Sequence, residues 1–353
     1  MALSYSDVRD AIESDLRDGS NTYHATEEID YKIVQGLREL AKYDKHLVRV
    51  TYQIESRYGT ATSGTTTATL EDATKDQFEA ADDDNEKVIH NTTDNTWAVV
   101  LTYTDAENFV LSADIMASGE NYEIYNKGCW NSKQINIEDV ADYLWVERVE
   151  YPIGTERSFE IHGDILEIGM DVEPDDSDPA NTDRVIDVYV WFAKPHKLCQ
   201  LTTGTGELTA NQSKGDVRIA VDGLLPATGV VEIGDEFHLE NHRTLYTIIR
   251  AVTLIGGAED IDFYPPLEAN ATENDDITFT KSTLKPQLES LLIEYVVAKS
   301  LMDEANIHLP NISTGGTGTY KRYLEAASYR YDRVIRQLEG LVESKPAKVL
   351  PRS

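Results

Sequence analysis

LKPQLESLLIEYVVAKSLMDEANIHLPNISTGGTGTYKRYLEAASYRYDRVIRQLEGLV, residues 284–342, is the stretch whose reading decides the fold class. Leu288, Leu291, Leu292, Tyr295, Ala298 and Met302 recur at steps of three and four, which places them on one face of a helix. Pro286 suits the first turn of that helix, where its missing N–H would have had no partner. Gly315, Gly316 and Gly318, within residues 311–319, separate it from a second helix. That helix carries Tyr320, Tyr323, Leu324, Ala327, Tyr331, Val334, Leu338 and Leu341 on one face. Neither stripe is stable in water, so both must be buried.

The start of the chain offers a matching pair. Ser6 and Asp7 are read as the cap of a helix bearing Val8, Ala11, Ile12 and Leu16, which ends at Asp18-Gly19. Thr26 and the acids Glu27 and Glu28 open a second helix, with Ile29, Ile33, Leu37, Leu40 and Ala41 as its stripe. Between the two helical ends the pattern is β. Residues 48–54 (VRVTYQI) alternate and read as a strand. After a Thr-, Ser-, Gly- and Ala-rich stretch, strands are expected at 87–90, 97–103, 109–111 and 121–125. A second set is expected at 145–151, 158–162, 165–168 and 184–192, the last buried on both faces. A third set covers 218–221, 230–233, 236–239, 245–252, 261–264 and 277–280.

The expected fold is therefore α+β: a helical bundle core with a β-sheet and two inserted antiparallel β-barrel or sandwich domains. The boundaries are 1–58 and 282–353 for the helical parts, 127–196 for the core sheet, and 59–126 and 197–281 for the inserts. The inserts echo one another, since Asn95-Thr96-Trp97-Ala98-Val99-Val100 resembles Arg243-Thr244-Leu245-Tyr246-Thr247-Ile248. Duplication and shared turn chemistry both account for the echo.

A net charge of −31 argues against wrapping nucleic acid, because phosphate binding needs a basic surface. Residues 318–353 run against this, with eight Lys and Arg to four Asp and Glu. A basic end on an acidic body points to an acidic partner. The acidity itself suits either high-salt solubility or a surface that DNA passes without sticking. No apolar run reaches the roughly 18 residues of a membrane helix, and MALSYSDVRD shows no signal-peptide pattern. Cys129 and Cys199 are expected as two buried thiols.

Few constellations carry chemistry. Asp171, Glu173, Asp175, Asp176, Asp178 and Asp183 form an oxygen-rich loop, but without the glycine and terminal glutamate of a calcium-binding helix–loop–helix. This loop, like Asp82-Asp83-Asp84, reads as a solvated turn. His238 and His242 stand as His-x-Glu-x-His on a strand entering a turn, not as the zinc-binding helix pattern. Gly315-Gly316-Thr317-Gly318 lacks the Gly-Lys-Ser/Thr of a phosphate loop. No nucleophile is paired with a base, so neither an enzyme nor a cofactor is expected.

One family resemblance covers about 1–56, 127–196 and 282–353. It rests on the helix Ile29…Ile33…Leu37…Leu40, then WVERVEYP (145–152), FEIHGDILEI (159–168) and VYVWFAKPH (188–196), closed by the C-terminal helix pair. These segments resemble the head-to-tail adaptor (connector, or head-completion) proteins of tailed viruses, bacteriophages among them. The resemblance implies a structural protein of the virion, assembled in the host cytoplasm. It would form a ring, commonly twelve-fold, between the portal and the tail or head-completion proteins, and DNA would pass through the channel without specific binding. No membrane is involved. The portal-binding residues would then be Arg322, Arg330, Arg333 and Arg336 of the last helix, with Lys345, Lys348, Val349, Leu350 and Arg352 of the tail. A baseplate or fibre component that stacks sugars on Trp97, Trp130 and Tyr122 is the alternative. A polysaccharide-cleaving enzyme with paired carboxylates has no supporting motif.

Overall fold

The structure, a computed structural model, describes residues 3–19, 23–84, 86–170, 185–201, 205–308 and 317–343. It is mixed α+β, with five helices and twenty-one strands among those residues. Helices α1 (Tyr5–Leu16) and α2 (Thr26–Leu40) lead into strand β1 (His46–Glu55). Then come β2 (Tyr58–Thr60), β3 (Thr69–Glu71), the one-turn helix α3 (Ala81–Asp84), β4 (Val88–Asn91), β5 (Thr96–Asp105), β6 (Asn108–Leu111) and β7 (Asn121–Tyr125). Next are β8 (Gln134–Asn136), β9 (Trp145–Glu150), β10 (Glu156–Arg157), β11 (Phe159–His162), β12 (Ile165–Ile168) and β13 (Val185–Lys194). They are followed by β14 (Thr205–Leu208), β15 (Arg218–Asp222), β16 (Val230–Val231), β17 (Glu236–Leu239), β18 (Leu245–Ile248), β19 (Val252–Thr253), β20 (Glu259–Tyr264) and β21 (Asp276–Phe279). Helices α4 (Pro286–His308) and α5 (Thr317–Glu343) follow.

The chain divides into two compact units: Met1–Val48 with Asp142–Trp145 and Ala193–Ser353, and Arg49–Ala141 with Val146–Phe192. In the first, α4 packs on α5, α2 and α1. Val8, Ile12, Ile29, Ile33, Leu288, Leu292, Val296, Val334 and Leu338 make their shared core. The approach of α2 to α4 is close enough to need Gly36, where an added Cβ would lie 2.5 Å from Leu292 Cδ1. Ser4, not Ser6, caps α1: its hydroxyl accepts the Asp7 N–H at 3.2 Å, while the Asp7 carboxylate accepts the Ser4 N–H at 2.9 Å. Ala25 rather than Thr26 is the N-cap of α2.

The same unit contains a closed six-stranded barrel, β14-β15-β20-β18-β17-β21. Its interior is filled by Phe237, Tyr246, Phe263 and Phe279, with Phe237 5.3–5.7 Å from each of the other three rings. The chain leaves for the barrel and returns from it side by side, through Cys199 N–H to Lys281 O at 2.8 Å and Thr283 N–H to Lys197 O at 3.0 Å. Strand β14 has no counterpart in the sequence reading, because Gly206 and its polar neighbours give little strand signal. The glycine is there for barrel closure, since a Cβ on it would stand 2.5 Å from Asp222 O.

The second unit carries a six-stranded antiparallel sheet, β2-β7-β4-β5-β6-β3, the three-stranded sheet β11-β12-β8, and most of the sheet β1-β13-β9-β10. Strand β13 alternates, against the two-face expectation. Val188, Val190 and Phe192 are buried, while Tyr189 and Trp191 face the other way beneath the guanidinium groups of Arg49 and Arg148. Aromatic side chains covered by cations give the outer face of this strand an apolar look in the sequence.

The six-stranded sheet and the closed barrel share one topology. Numbered by chain rank, their strands are β2, β3, β4, β5, β6, β7 and β14, β15, β17, β18, β20, β21. Both then follow the order 1-6-3-4-5-2. The registers agree as well. Tyr58↔Glu123, Glu123↔His90 and His90↔Trp97 correspond to Thr205↔Thr278, Thr278↔His238 and His238↔Leu245. This matches Trp97 with Leu245, as in the sequence echo, and it also matches His90 with His238 and Gly59 with Gly206. The closing contact recurs too. Thr62 donates its N–H (2.7 Å) and Oγ1 (3.2 Å) to Glu71 O, and the corresponding Thr209 donates its N–H (3.0 Å) and Oγ1 (3.3 Å) to Ala220 O. The two β bodies are copies of one fold.

Candidate functional site

Helix α5 buries Ala327, Val334 and Leu338, with Tyr331, Ile335 and Leu341 packed at the margin. Two of its arginines are held within the chain. Arg330 reaches Asp15 of α1 at 3.1 Å, and Arg333 Nε donates to Glu294 of α4 at 3.0 Å. Arg322 and Arg336 are exposed and make no ion pair with a described residue. Tyr329, midway between them, is 69% exposed. Residues seven apart on a helix share a face and rise about 10 Å, so Arg322, Tyr329 and Arg336 form a line of about 21 Å. Tyr329 was absent from the sequence expectation. Its signal is the seven-residue spacing to an arginine on either side. Lys345, Lys348, Val349, Leu350 and Arg352 lie outside the described residues, as do the acidic loop 171–183, Gly315 and Gly316.

The aromatic residues named for sugar stacking divide. Tyr122 is buried, with its hydroxyl donated to Asp72 at 2.6 Å and accepting from Gln77 Nε2 at 2.7 Å. Burial, then the Asp72 carboxylate, push its phenol up. Trp130 is exposed. Trp97 is 40% exposed and lies parallel to the His90 ring at 3.9 Å, with Tyr125 5.8 Å away. Three strands away from Trp97, a pocket of about 400 Å³ is lined in part by Tyr58, Gly59, Thr60, Asp72, Lys75 and Glu123.

The acidic triplet at 82–84 forms α3 and is not a solvated turn. Asp82 is a buried counter-ion of Arg57, and Asp83 accepts the Tyr103 N–H at 2.9 Å. In the barrel, His242 Nδ1 is 2.6 Å from the Tyr246 hydroxyl. Among the described residues no group of three or more His, Cys, Asp and Glu is placed to hold a metal ion. Cys129 and Cys199 are free and buried, and burial raises their thiols to about 12 and about 11. No described helix is long and apolar enough to cross a membrane. Comparison with protein-family models, with curated proteins and with solved structures finds no match.

Proposed function

We propose that this chain is a head-to-tail adaptor of a tailed virus, a structural protein that assembles into a ring between portal and tail. The observation that carries the reading is the outer face of α5, where Arg322, Tyr329 and Arg336 line up on the basic end of a strongly acidic chain. An aromatic residue flanked by arginines is the composition of an interface hot spot, and an acidic portal surface is its complement. In this reading α1, α2, α4 and α5 serve as the rigid helical core of each subunit. Repeated side-to-side contacts close the ring. Acidic residues along the channel repel DNA and let it slide.

Each exposed arginine–carboxylate pair contributes only about 0.2–1 kcal/mol, so ring multiplicity must supply most of the affinity. The test is co-purification of the full chain with the portal protein of the same virus, followed by electron microscopy. A ring seated on the portal is expected. Arg322→Glu combined with Arg336→Glu should weaken the complex, and more strongly at low salt than at high salt. Truncation before Ser344 should spare folding and weaken docking. Portal and chain that stay separate at high concentration, together with a head–tail junction lacking this chain in virions, would overturn the proposal.

A further inference from the structure

Four strands of the six-stranded sheet place Tyr58, Glu123, His90 and Trp97 directly opposite one another in sequence of strands β2, β7, β4 and β5. Residues in such register share one face of the sheet. Here it is the outer face, because the alternating positions Gly59, Ile124, Ile89 and Ala98 are buried. The two ends of the row are aromatic residues, Tyr58 44% exposed and Trp97 40% exposed, and the Lys75 ammonium lies over one face of the Tyr58 ring, 3.7 Å from its centre. Three strand spacings put them about 14 Å apart. Between them, Glu123 Oε2 accepts the Tyr125 hydroxyl and stands 3.8 Å from the buried His90 Nδ1, and His90 Nε2 is 3.0 Å from Asn95 Oδ1. The indole has one face against His90, so its exposure belongs to the remaining surface.

The pocket of about 400 Å³ opens on the Tyr58 end of this row. Thr60, Thr74, Thr92, Asn121 and Glu123 supply hydroxyl, amide and carboxylate groups to its wall. Thr60 Oγ1 is already oriented by a 2.8 Å hydrogen bond to Asn121 Oδ1. The second copy of the fold provides an internal comparison. At the four corresponding positions the barrel has Thr205, Thr278, His238 and Leu245. One scaffold therefore carries the aromatic and acidic groups in one copy and lacks them in the other, so barrel architecture does not require them.

We propose that this row and its pocket bind an uncharged oligosaccharide spanning about three pyranose rings. The Trp97 face away from His90, and the Tyr58 face away from Lys75, offer flat apolar surfaces to the C–H faces of sugars. The Glu123 carboxylate, 41% exposed, and the threonine hydroxyls and Asn121 amide of the pocket wall are matched to hydroxyl groups, the mix of apolar platform and few oriented polar groups typical of small-molecule sites. Phosphate-bearing ligands are disfavoured, because Glu123 and Asp72 stand at the site and Lys75 is the one basic residue lining the pocket. A protein partner would be expected to want a contiguous apolar patch, which the central carboxylate–imidazole pair interrupts. The site is separate from the α5 face, so this proposal and the adaptor reading stand or fall independently.

The test titrates the full chain with maltotriose, cellotriose, mannotriose and triacetylchitotriose, and with a six-nucleotide thymidine strand for comparison, by calorimetry and tryptophan fluorescence. At about 10 mM ligand, a contact with millimolar Kd still registers. At least one trisaccharide should bind and perturb the fluorescence. Trp97→Ala should weaken that binding at least tenfold, while Trp130→Ala should change it less than twofold. Glu123→Gln, which keeps the shape of the side chain, should weaken it about tenfold and guards against a folding defect in Trp97→Ala. Binding of none of the four sugars, binding unchanged in both Trp97→Ala and Glu123→Gln, or preference for the thymidine strand would each overturn the proposal.

Discussion

Replacing Arg57 by Met should be among the most damaging single changes in the second unit. The guanidinium is 1% exposed, and all five of its N–H donors are used. Nε and Nη2 bond Glu55 at 3.0 and 2.7 Å, Nη1 and Nη2 bond Asp82 at 3.1 and 2.6 Å, and Nη1 also reaches Gln77 O at 2.7 Å. Lys87 adds a second cation at 3.1 Å from Glu55 and is itself tied to Asn126 at 2.7 Å. Burial alone would raise the Glu55 carboxyl, but Arg57 and Lys87 more than offset it and hold it below its ordinary value. Removing Arg57 leaves Glu55 buried with Lys87 as its cation, and Asp82 buried without its guanidinium. Breaking such a network by deleting one partner costs about 3–5 kcal/mol. For a unit of this size that is a loss of roughly 10 °C in its melting transition.

The sign of the pH response gives a second readout. In the native chain Glu55 is depressed, so its stabilisation is present at neutral pH and is lost as pH falls below the ordinary carboxylate range. In Arg57→Met, burial dominates and the Glu55 carboxyl rises, so its protonation relieves the strain. The deficit measured by urea unfolding should therefore be largest near pH 8 and shrink toward pH 5. Adding Asp82→Asn should recover part of it non-additively. A loss below about 1 kcal/mol, or a deficit independent of pH, would refute this reasoning.

Two further outcomes are expected in the first unit. Gly36→Ala gains helix propensity but drives a methyl toward Leu292 and Tyr295, so a net loss of about 1–3 kcal/mol is expected from chemical denaturation; unchanged or higher stability would show that α2 and α4 can part without cost. Burial, then the neighbouring His196 charge, hold His46 down at about 4, so folding disfavours its protonation and stability falls as pH drops from 7 to 5. That contribution is about 2 kcal/mol. His46→Gln, compared with the native chain, isolates it from Lys194, Lys197, Asp235 and Glu236 in the same neighbourhood; parallel pH–stability curves for the two proteins would count against it.

Much of the secondary structure was legible in the sequence, because periodicity reports burial directly. The strand reading at 165–168 and at 236–239 coincides with β12 and β17. What escaped was set by contacts distant in sequence. Strands β2, β3 and β14 are short, and they form because partners across the sheet hold them. Arg57 lies next to the expected boundary at 58 and carries no apolar signal, yet it is among the largest fully buried side chains. The stacking row was half visible: Trp97 stood out, but Tyr58, Glu123 and His90 join it only through register. Aligning the two inserts through Trp97 and Leu245 would have brought the two histidines together and pointed to the row.

Two copies of one fold in a single chain also create a folding hazard, because a strand of either copy could complete the other. The interiors are built against that error. Asn91, Tyr122 and Asp72 of one copy correspond to Leu239, Ile277 and Val221 of the other. Asn91 donates to Ile115 O at 2.6 Å and to Glu120 at 2.8 Å, and Tyr122 needs Asp72 and Gln77. Exchange of β7 for β21 would carry the Tyr122 phenol into an apolar barrel with no carboxylate to meet it, and would leave Asp72 facing Ile277. Each mispaired product would bury unsatisfied polar groups, at about 1–3 kcal/mol apiece. The polar pins that look like blemishes in one core thus act as proofreading marks between the twins.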